Sequence, residues 1–264
     1  MKLSIVMPAY NEEKRIGKTL QEYSEFFDHL SKKEKFNYEI IVVINNTTDK
    51  TEEIVKKYLK KDKNIKYLNF KKGGKGFAII EGFKDALKRK NDLIGFVDAD
   101  LATPPSAFYY LVKGIGNNNG AIASRYVRGS IVKPKPTLRR YIVSRGFNLL
   151  SRALFMMPYK DTQCGAKLFK REAIKNTIHK LSLSRWAFDV DLLYTLRRQG
   201  FRIKEVPTIW SDRKYSKINF VRAAPMMALG IIRLRLINSP FKIFIKIYDK
   251  LIFTLIWRKS RTRS

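Results

Sequence analysis

The stretch LIGFVDADLATPP, residues 93–105, decides how the rest of the chain is interpreted. Its first five residues are apolar, which is typical of a strand that is buried on both faces of a sheet. Two aspartates one residue apart, Asp98 and Asp100, follow at once, and the Thr-Pro-Pro segment at 103–105 is a helix-start signal. The stretch therefore predicts a buried strand, a loop that carries two carboxylates, and a helix.

Similar short apolar runs recur along the chain, and segments with helical spacing lie between them. This alternation predicts an α/β fold in which helices cover both faces of a parallel sheet. In such sheets ligands bind outside the carboxyl ends of the strands, which is where Asp98 and Asp100 fall. The predicted strands are 3–8, 38–44, 65–70, 93–97, 120–124 and 202–210, and the predicted helices are 12–30, 49–61, 75–90, 105–115, 139–155 and 186–199.

The chain changes character after residue 218. Residues 225–237 predict an apolar helix, and in 241–256 apolar side chains recur at helical spacing opposite a basic face. Such helices are typical of membrane interfaces, and packing on the protein's own core or in a dimer is the alternative. We expect a globular domain at 1–218 and amphipathic, membrane-associating helices with a basic tail at 219–264.

Targeting signals are not expected from this sequence. No run reaches the roughly 18 uncharged apolar residues of a transmembrane helix. The first apolar stretch is short and ends at Pro8 and an acidic pair, unlike a signal peptide. Cys164 is the only cysteine, which suits a reducing compartment, and we expect it to be a small packing residue. The predicted location is the cytoplasmic face of a membrane, without a membrane-spanning segment.

The charge balance points to an anionic partner. The chain has 264 residues with 54 Lys and Arg against 23 Asp and Glu, a formal net charge of +31. Nucleic acid, an anionic membrane or phosphorylated substrates would each suit this balance. The sequence shows no recognised nucleic-acid-binding motif, and its basic residues are spread along the chain. We therefore do not expect nucleic acid to be the partner.

Two features of the sequence are candidates for binding a metal ion and phosphate groups. Asp98 and Asp100 can approach one divalent cation, and their hard oxygen atoms suit Mg²⁺ or Mn²⁺. The segment KKGGKG at 71–76 lets the backbone approach a ligand before a predicted helix N-terminus, and Lys72 and Lys75 are candidates for phosphate contact. The segment is neither GxGxxG nor a Walker motif, so those nucleotide sites are not predicted.

A family resemblance rests on motifs in a fixed order. PAYNEE (8–13), NNTTDKT (45–51), GGKG (73–76) and DADLATPP (98–105) resemble family 2 glycosyltransferases with the GT-A fold. ASRYVRG (123–129), KDTQCGAKLF (160–169), RWAFDVDLL (185–193) and EVPTIWSDRKYSKI (205–218) resemble polyprenyl-phosphate hexosyltransferases. That group includes dolichyl-phosphate mannose synthases and dolichyl-phosphate β-glucosyltransferases. The resemblance implies a GT-A (Rossmann-like), mostly parallel sheet and makes 1–218 a catalytic domain.

The resemblance also implies roles for individual residues. Trp186 and Trp210 are candidates for stacking on sugar or lipid, with core packing as the alternative. The donor-nucleotide candidates are Pro8, Ala9, Tyr10, Asn11, Glu12, Asn45, Asp49, Lys75, Gly76, Asp98 and Ala99. The acceptor-phosphate candidates are Arg125, Arg139, Arg140, Arg213, Ser216 and Lys217, and the catalytic candidates are Asp98, Asp100, Arg125, Asp161, Asp189 and Arg213.

Two departures from the family pattern bear on the donor. Ile44 and Asn45 stand where the family usually has an aspartate pair, and an asparagine suits uracil better than guanine. Ala102 stands where mannose synthases often have a glutamine ligand to the metal. We therefore expect inverting transfer of glucose from UDP-glucose to a polyprenyl (dolichyl) monophosphate. A GDP-mannose-dependent mannose synthase and a family 2 transferase for another lipid or glycan acceptor are the alternatives.

Overall fold

A computed structural model describes residues 1–182, 187–211 and 220–252, the last with side chains from residue 224 onward. The strands are β1 (Lys2–Ala9), β2 (Asn37–Asn45), β3 (Ile65–Phe70), β4 (Leu93–Val97), β5 (Gly120–Ser124), β6 (Ile131–Val132), β7 (Ala166–Lys170), β8 (Ile203–Pro207) and β9 (Ile209–Trp210). The α-helices are α1 (Ile16–Glu34), α2 (Thr51–Lys61), α3 (Lys75–Leu87), α4 (Pro105–Gly114), α5 (Leu138–Phe155), α6 (Arg171–Thr177), α7 (Phe188–Arg198) and α8 (Phe220–Ile237). Short 3₁₀ turns span Ile178–Lys180 and Pro240–Phe244, and residues 245–252 are helical.

Seven strands form the main sheet in the order β3-β2-β1-β4-β7-β5-β8. Its pairs are parallel except at β7, which runs antiparallel to both β4 and β5. The predicted mostly parallel α/β fold is therefore confirmed. The sequence did not predict β7, which inserts between two strands that come earlier in the chain.

The strand predicted at 202–210 divides in two. Residues Ile203–Pro207 form β8 at the edge of the main sheet, whereas Ile209–Trp210 pairs in parallel with β6 in a separate two-stranded sheet. The loop between β5 and α5 thus contains the short strand β6. Pairing of β6 with β9 brings this loop over the carboxyl end of the main sheet and next to Trp210.

The near-continuous apolar strands are buried on both faces, as their composition predicts. Alternate β1 residues enter different cores: Ile5 packs in the cluster with α1, α2 and α4, and Val6 packs in the cluster with α3, α6 and α7. Helix α3 lies so close to β1 that a Cβ on Gly82 would come 2.3 Å from Val6 Cγ1. This three-layer packing fixes the edge of the sheet where the strands β1, β2 and β4 end.

The segments after residue 219 contact the globular body. Met227, Ile231 and Leu234 of α8 are buried in the cluster that includes α3 and α7. Arg233 donates to both carboxylate oxygens of Asp249 at 2.7 and 2.8 Å, which ties the C-terminal helical residues to α8. Within the described ranges, no helix combines the length and the apolar character that a membrane crossing requires. The domain boundary at residue 218 and the membrane association of 219–264 stay predictions.

Candidate active site

A cavity of about 410 Å³ opens at the carboxyl edge of the sheet. Elements that end or begin at this edge supply its polar lining, as the rule for ligand sites in α/β sheets predicts. Asp98 and Asp100 follow β4, Arg125 follows β5, Lys75 begins α3 and Asp189 lies in the first turn of α7. The structure thus brings together charged residues that are far apart in the sequence.

Asp98 and Asp100 are both partly exposed to this cavity, with 35% and 29% of their side-chain surface accessible. The Asp98 N–H donates to the carbonyl of Gly165 at 3.0 Å. The Asp100 carboxylate accepts from the Ala102 N–H at 3.0 Å. Leu101, which lies between Asp100 and Ala102, has a left-handed backbone with φ 58°, so the chain turns sharply after the second aspartate. Backbone contacts therefore hold both carboxylates at the cavity wall.

Two cations lie against these aspartates. Lys75 Nζ is 2.5 Å from Asp98 Oδ1, and Arg15 Nη1 is 3.7 Å from Asp100 Oδ2. Burial raises the pKa of the Asp98 carboxyl above its usual value, and Lys75 opposes that rise. Burial would lower the pKa of Lys75, but the nearby carboxylates, Asp98 foremost, hold it above its usual value. Lys75 is therefore a cation that faces the cavity.

The donor set fits a divalent cation of the Mg²⁺ or Mn²⁺ kind only in part. Asp98 and Asp100 offer hard oxygen atoms, and Asp98 Oδ2 has no hydrogen-bond partner among the described residues. In that part of the chain, no group of three or more His, Cys, Asp or Glu side chains is arranged to hold a metal. Ala102 lines the cavity and offers no ligand atom. The two aspartates fit a metal whose other ligands are water or a bound diphosphate.

A second lysine–aspartate pair lies beside the first. Lys167 is fully buried on β7, and its Nζ donates to Asp189 Oδ1 at 2.6 Å and to the Cys164 carbonyl at 2.7 Å. Lys167 Nζ is 5.2 Å from the centre of the Phe96 ring and Lys75 Nζ is 5.8 Å from it. A buried ammonium is costly unless it is paired, and the contact with Asp189 supplies that partner. Asp189 is 20% exposed and lines the cavity.

Arg125 is held in one orientation by Asp161. The Arg125 guanidinium donates to both Asp161 oxygens at 2.7 and 2.9 Å, and its backbone N–H adds a bond of 3.0 Å. Burial would raise the pKa of Asp161, but Arg125 outweighs it and holds the pKa below its usual value. Asp161 is completely buried and is absent from the cavity wall. Asp161, one of the catalytic candidates, therefore orients Arg125 from behind the cavity wall.

The indole of Trp210 lies near two guanidinium groups. Arg125 Cζ is 5.3 Å and Arg140 Cζ is 5.4 Å from the centre of the Trp210 ring, which is cation–π range. All three residues line the cavity, whereas Arg139, the neighbour of Arg140, is exposed and outside its lining. Trp210 thus contacts two cations at the cavity wall. Trp186, Arg213, Ser216 and Lys217 lie outside the described residues.

The predicted donor-nucleotide residues lie in adjacent loops after β1 and β2. The Asn11 carboxamide accepts from the Thr48 N–H at 2.8 Å, and Asp49 accepts from the Glu13 N–H at 3.2 Å. Pro8 and Ala9 end β1, Tyr10 is 49% exposed, and Glu12 pairs with Arg15 at 2.6 Å. These contacts join the two loops into one unit. They leave the aromatic ring of Tyr10 facing solvent.

Asn45 has a backbone role that the sequence did not reveal. It is 2% exposed, its amide donates to the Ala9 carbonyl at 2.9 Å, and its oxygen accepts from the Gly74 N–H at 3.0 Å. It therefore ties the glycine loop before α3 to the end of β1. Direct contact of Asn45 with a nucleobase stays a prediction. Gly76 is packed against Phe188, where a Cβ would come 2.8 Å from the ring.

Comparison with known proteins places the chain in a family. The sequence profile of glycosyl transferase family 2 matches residues 4–178. The chain belongs to glycosyl transferase family 2. A dolichyl-phosphate β-glucosyltransferase of Dictyostelium discoideum is 34% identical over 244 residues, which cover 88% of this chain and 73% of that one. The Homo sapiens dolichyl-phosphate β-glucosyltransferase is 35% identical over 228 residues, or 82% and 69% of the two chains.

Solved structures support the GT-A fold of this family 2 glycosyltransferase. A glucosyl-3-phosphoglycerate synthase of Mycobacterium tuberculosis, in complex with Mn²⁺, UDP and phosphoglyceric acid, has a TM-score of 0.64. The likeness covers 90% of this chain and 78% of that one at 19% sequence identity. At that identity the similarity is one of fold.

Sequence reasoning missed two residues of the glycosyltransferase site. Lys167 lies in the motif KDTQCGAKLF, and its position among apolar residues is the signal of a buried charge that needs a partner. Gly165 has ordinary backbone angles, so its importance lies in space: a Cβ there would come 1.9 Å from Asp98 Oδ2. Cys164 is buried, as predicted for a packing residue, and burial raises the pKa of its thiol to about 12.

We expect Gly165→Ala to displace the Asp98 carboxylate and to weaken Mn²⁺-dependent UDP binding by about tenfold, or ~1.4 kcal/mol. The matched control is Gly146→Ala in α5, where a Cβ meets nothing within 4 Å. Isothermal titration of both variants with UDP, with and without Mn²⁺, measures the effect. Equal affinities of the Gly165→Ala variant and the wild type for UDP with Mn²⁺ would contradict the expectation.

Proposed function

We propose that this glycosyltransferase moves glucose from UDP-glucose to dolichyl phosphate, with inversion at the anomeric carbon, at the cytoplasmic face of a membrane. The observation that carries the proposal is the juxtaposition in one cavity of two partly exposed aspartates and a set of cations. Lys75, Arg125 and Arg140 all line that cavity together with Asp98 and Asp100. The named function of the relatives, in which about a third of the aligned residues are identical to this chain, supports the choice of substrates.

The donor diphosphate is expected beside Asp98 and Asp100. Bound there, a divalent cation would offset the negative charge that grows on the leaving diphosphate. Lys75 faces the same space from the start of α3, and its raised pKa keeps it charged for that role. Gly74, in the loop before α3, has φ 127°, a backbone conformation that residues with a side chain rarely adopt.

The acceptor phosphate is expected near Arg125 and Arg140. Their guanidinium groups lie on the Trp210 ring at the same cavity, and a guanidinium can bind phosphate through two parallel hydrogen bonds. Asp161 fixes Arg125, so little conformational entropy is lost when that arginine binds an anion. A phosphate monoester is already an anionic nucleophile, so the protein's task is to position two anions that repel each other.

A donor and acceptor screen tests the proposal. Purified protein with Mn²⁺ or Mg²⁺ is offered UDP-glucose or GDP-mannose together with dolichyl phosphate, and lipid-linked sugar is counted after extraction. We expect transfer from UDP-glucose. Transfer from GDP-mannose alone would assign the protein to mannose transfer. Absence of transfer to lipid from either donor, with UDP binding intact, would refute the polyprenyl-phosphate acceptor.

A further inference from the structure

Helix α5 presents an apolar and cationic stripe to solvent. Four of its large apolar side chains are 60% to 81% exposed: Leu138 at 74%, Ile142 at 60%, Leu149 at 66% and Met156, directly after the helix, at 81%. The three positions within the helix are separated by four or seven residues, so they recur on one face, and Met156 follows at the end of the helix with a left-handed backbone. Arg145 and Arg152 fall between them at the same helical spacing. The stripe consists of Leu138, Ile142, Arg145, Leu149, Arg152 and Met156.

The opposite face of α5 is already used by the fold. Phe147, Ser151 and Phe155 are buried, and Phe147 and Phe155 share a hydrophobic cluster with Ile231 and Leu234 of α8. The stripe therefore is not the packing face of the helix. Exposed aliphatic side chains aligned over five turns are a costly arrangement in water unless a partner covers them.

The stripe borders a groove that is cationic and leads to the active site. Arg145, Arg152 and Lys160 line this groove of about 350 Å³, and α5 contains four arginines and no acidic residue. Tyr141 lines both this groove and the cavity that holds Asp98. The surface and the active site thus meet at one side chain.

We infer that the α5 stripe docks on an anionic lipid bilayer, with its aliphatic side chains in the interface and its cations at the headgroups. The charge pattern selects this partner: a second copy of the chain in a two-fold dimer would set Arg145 and Arg152 near their own equivalents. Anionic headgroups complement those cations instead. The inference deepens the proposed function and rests on it for its purpose, since it supplies the surface through which a lipid acceptor meets the cavity.

Vesicle flotation tests the inference without donor or dolichyl phosphate. The double variant Ile142→Gln/Leu149→Gln keeps the net charge and removes two exposed aliphatic side chains. We expect it to bind vesicles of phosphatidylcholine with phosphatidylserine about tenfold more weakly than the wild type. Tyr110→Gln is the matched control, because Tyr110 is 47% exposed on α4, and its flotation should equal that of the wild type.

A second measurement, of sugar transfer, separates membrane docking from catalysis. With dolichyl phosphate in detergent micelles the double variant should keep wild-type transfer, whereas with the acceptor in vesicles its transfer should fall with its flotation. Flotation of the double variant equal to the wild type would overturn the inference. So would a change from dimer to monomer in light scattering with flotation unchanged, which would make the stripe a protein interface. Because flotation needs no transfer, an inactive enzyme that still floats through α5 would refute only the proposed function.

Discussion

Replacing Asp98 with asparagine is expected to lower the rate of glucosyl transfer by about a thousandfold, a loss of ~4 kcal/mol of transition-state stabilisation. The change keeps the size of the side chain and removes its charge. Asp98 pairs with Lys75 at 2.5 Å and lies with Asp100 at the cavity wall, so the variant loses the partner of a cation and, in the proposed mechanism, a ligand to the metal. Transfer assays at saturating UDP-glucose, together with titration of Mn²⁺ in the presence of UDP, measure the two losses.

Asp92→Asn is the matched control for this prediction. Asp92 directly precedes β4, the strand that Asp98 follows, and its side chain is 65% exposed near the N-terminal amine. The same chemical change at the other end of one strand should leave transfer and Mn²⁺ affinity at wild-type values. Transfer by Asp98→Asn within tenfold of the wild type would contradict the assignment of Asp98 to the metal and diphosphate.

The placement of these aspartates was accessible from the sequence because it follows from local rules. An apolar run such as 93–97 predicts a buried strand, and the carboxyl ends of parallel strands meet at one edge. Asp98, Lys75 and Arg125 each follow a predicted strand, and the structure brings all three to one cavity. No long-range information was needed for that step.

Strand β7 was not accessible in the same way. Its sequence, AKLFK, places Lys167 inside a central strand and Lys170 at its end, and a charge inside a strand argues against burial on both faces. The charge is tolerated because Asp189, which comes 22 residues later on α7, pairs with it. A partner at that distance cannot be identified from strand or helix periodicity, so neither β7 nor the pair was predicted.

The identity of the exposed face of α5 also could not be predicted from the sequence. Helical spacing over 139–155 predicted the helix, but aliphatic and arginine side chains occur on several of its faces. Which face packs is decided by α8, whose Ile231 and Leu234 join the cluster of Phe147 and Phe155. Only that long-range packing shows that Ile142 and Leu149 point to solvent.

A double-mutant cycle on Lys167 and Asp189 separates stability from catalysis. Either single change, Lys167→Met or Asp189→Asn, leaves one charge without its partner, and we expect the free energy of unfolding to fall by about 3 kcal/mol. The double variant has neither charge, so its free energy of unfolding should return to within about 1 kcal/mol of the wild-type value, a coupling of about 5 kcal/mol between the two changes. Denaturant titration of the four proteins measures this coupling.

Activity should not return with stability, because Asp189 faces the cavity while Lys167 lies behind it. We expect Asp189 to accept hydrogen bonds from hydroxyl groups of the transferred hexose, with Lys167 as the positioning residue that holds it there. The stable double variant should therefore bind UDP as the wild type does, yet bind UDP-glucose about tenfold more weakly and transfer slowly. If its transfer recovers together with its stability, the pair serves the fold alone and the hexose must be recognised by other residues.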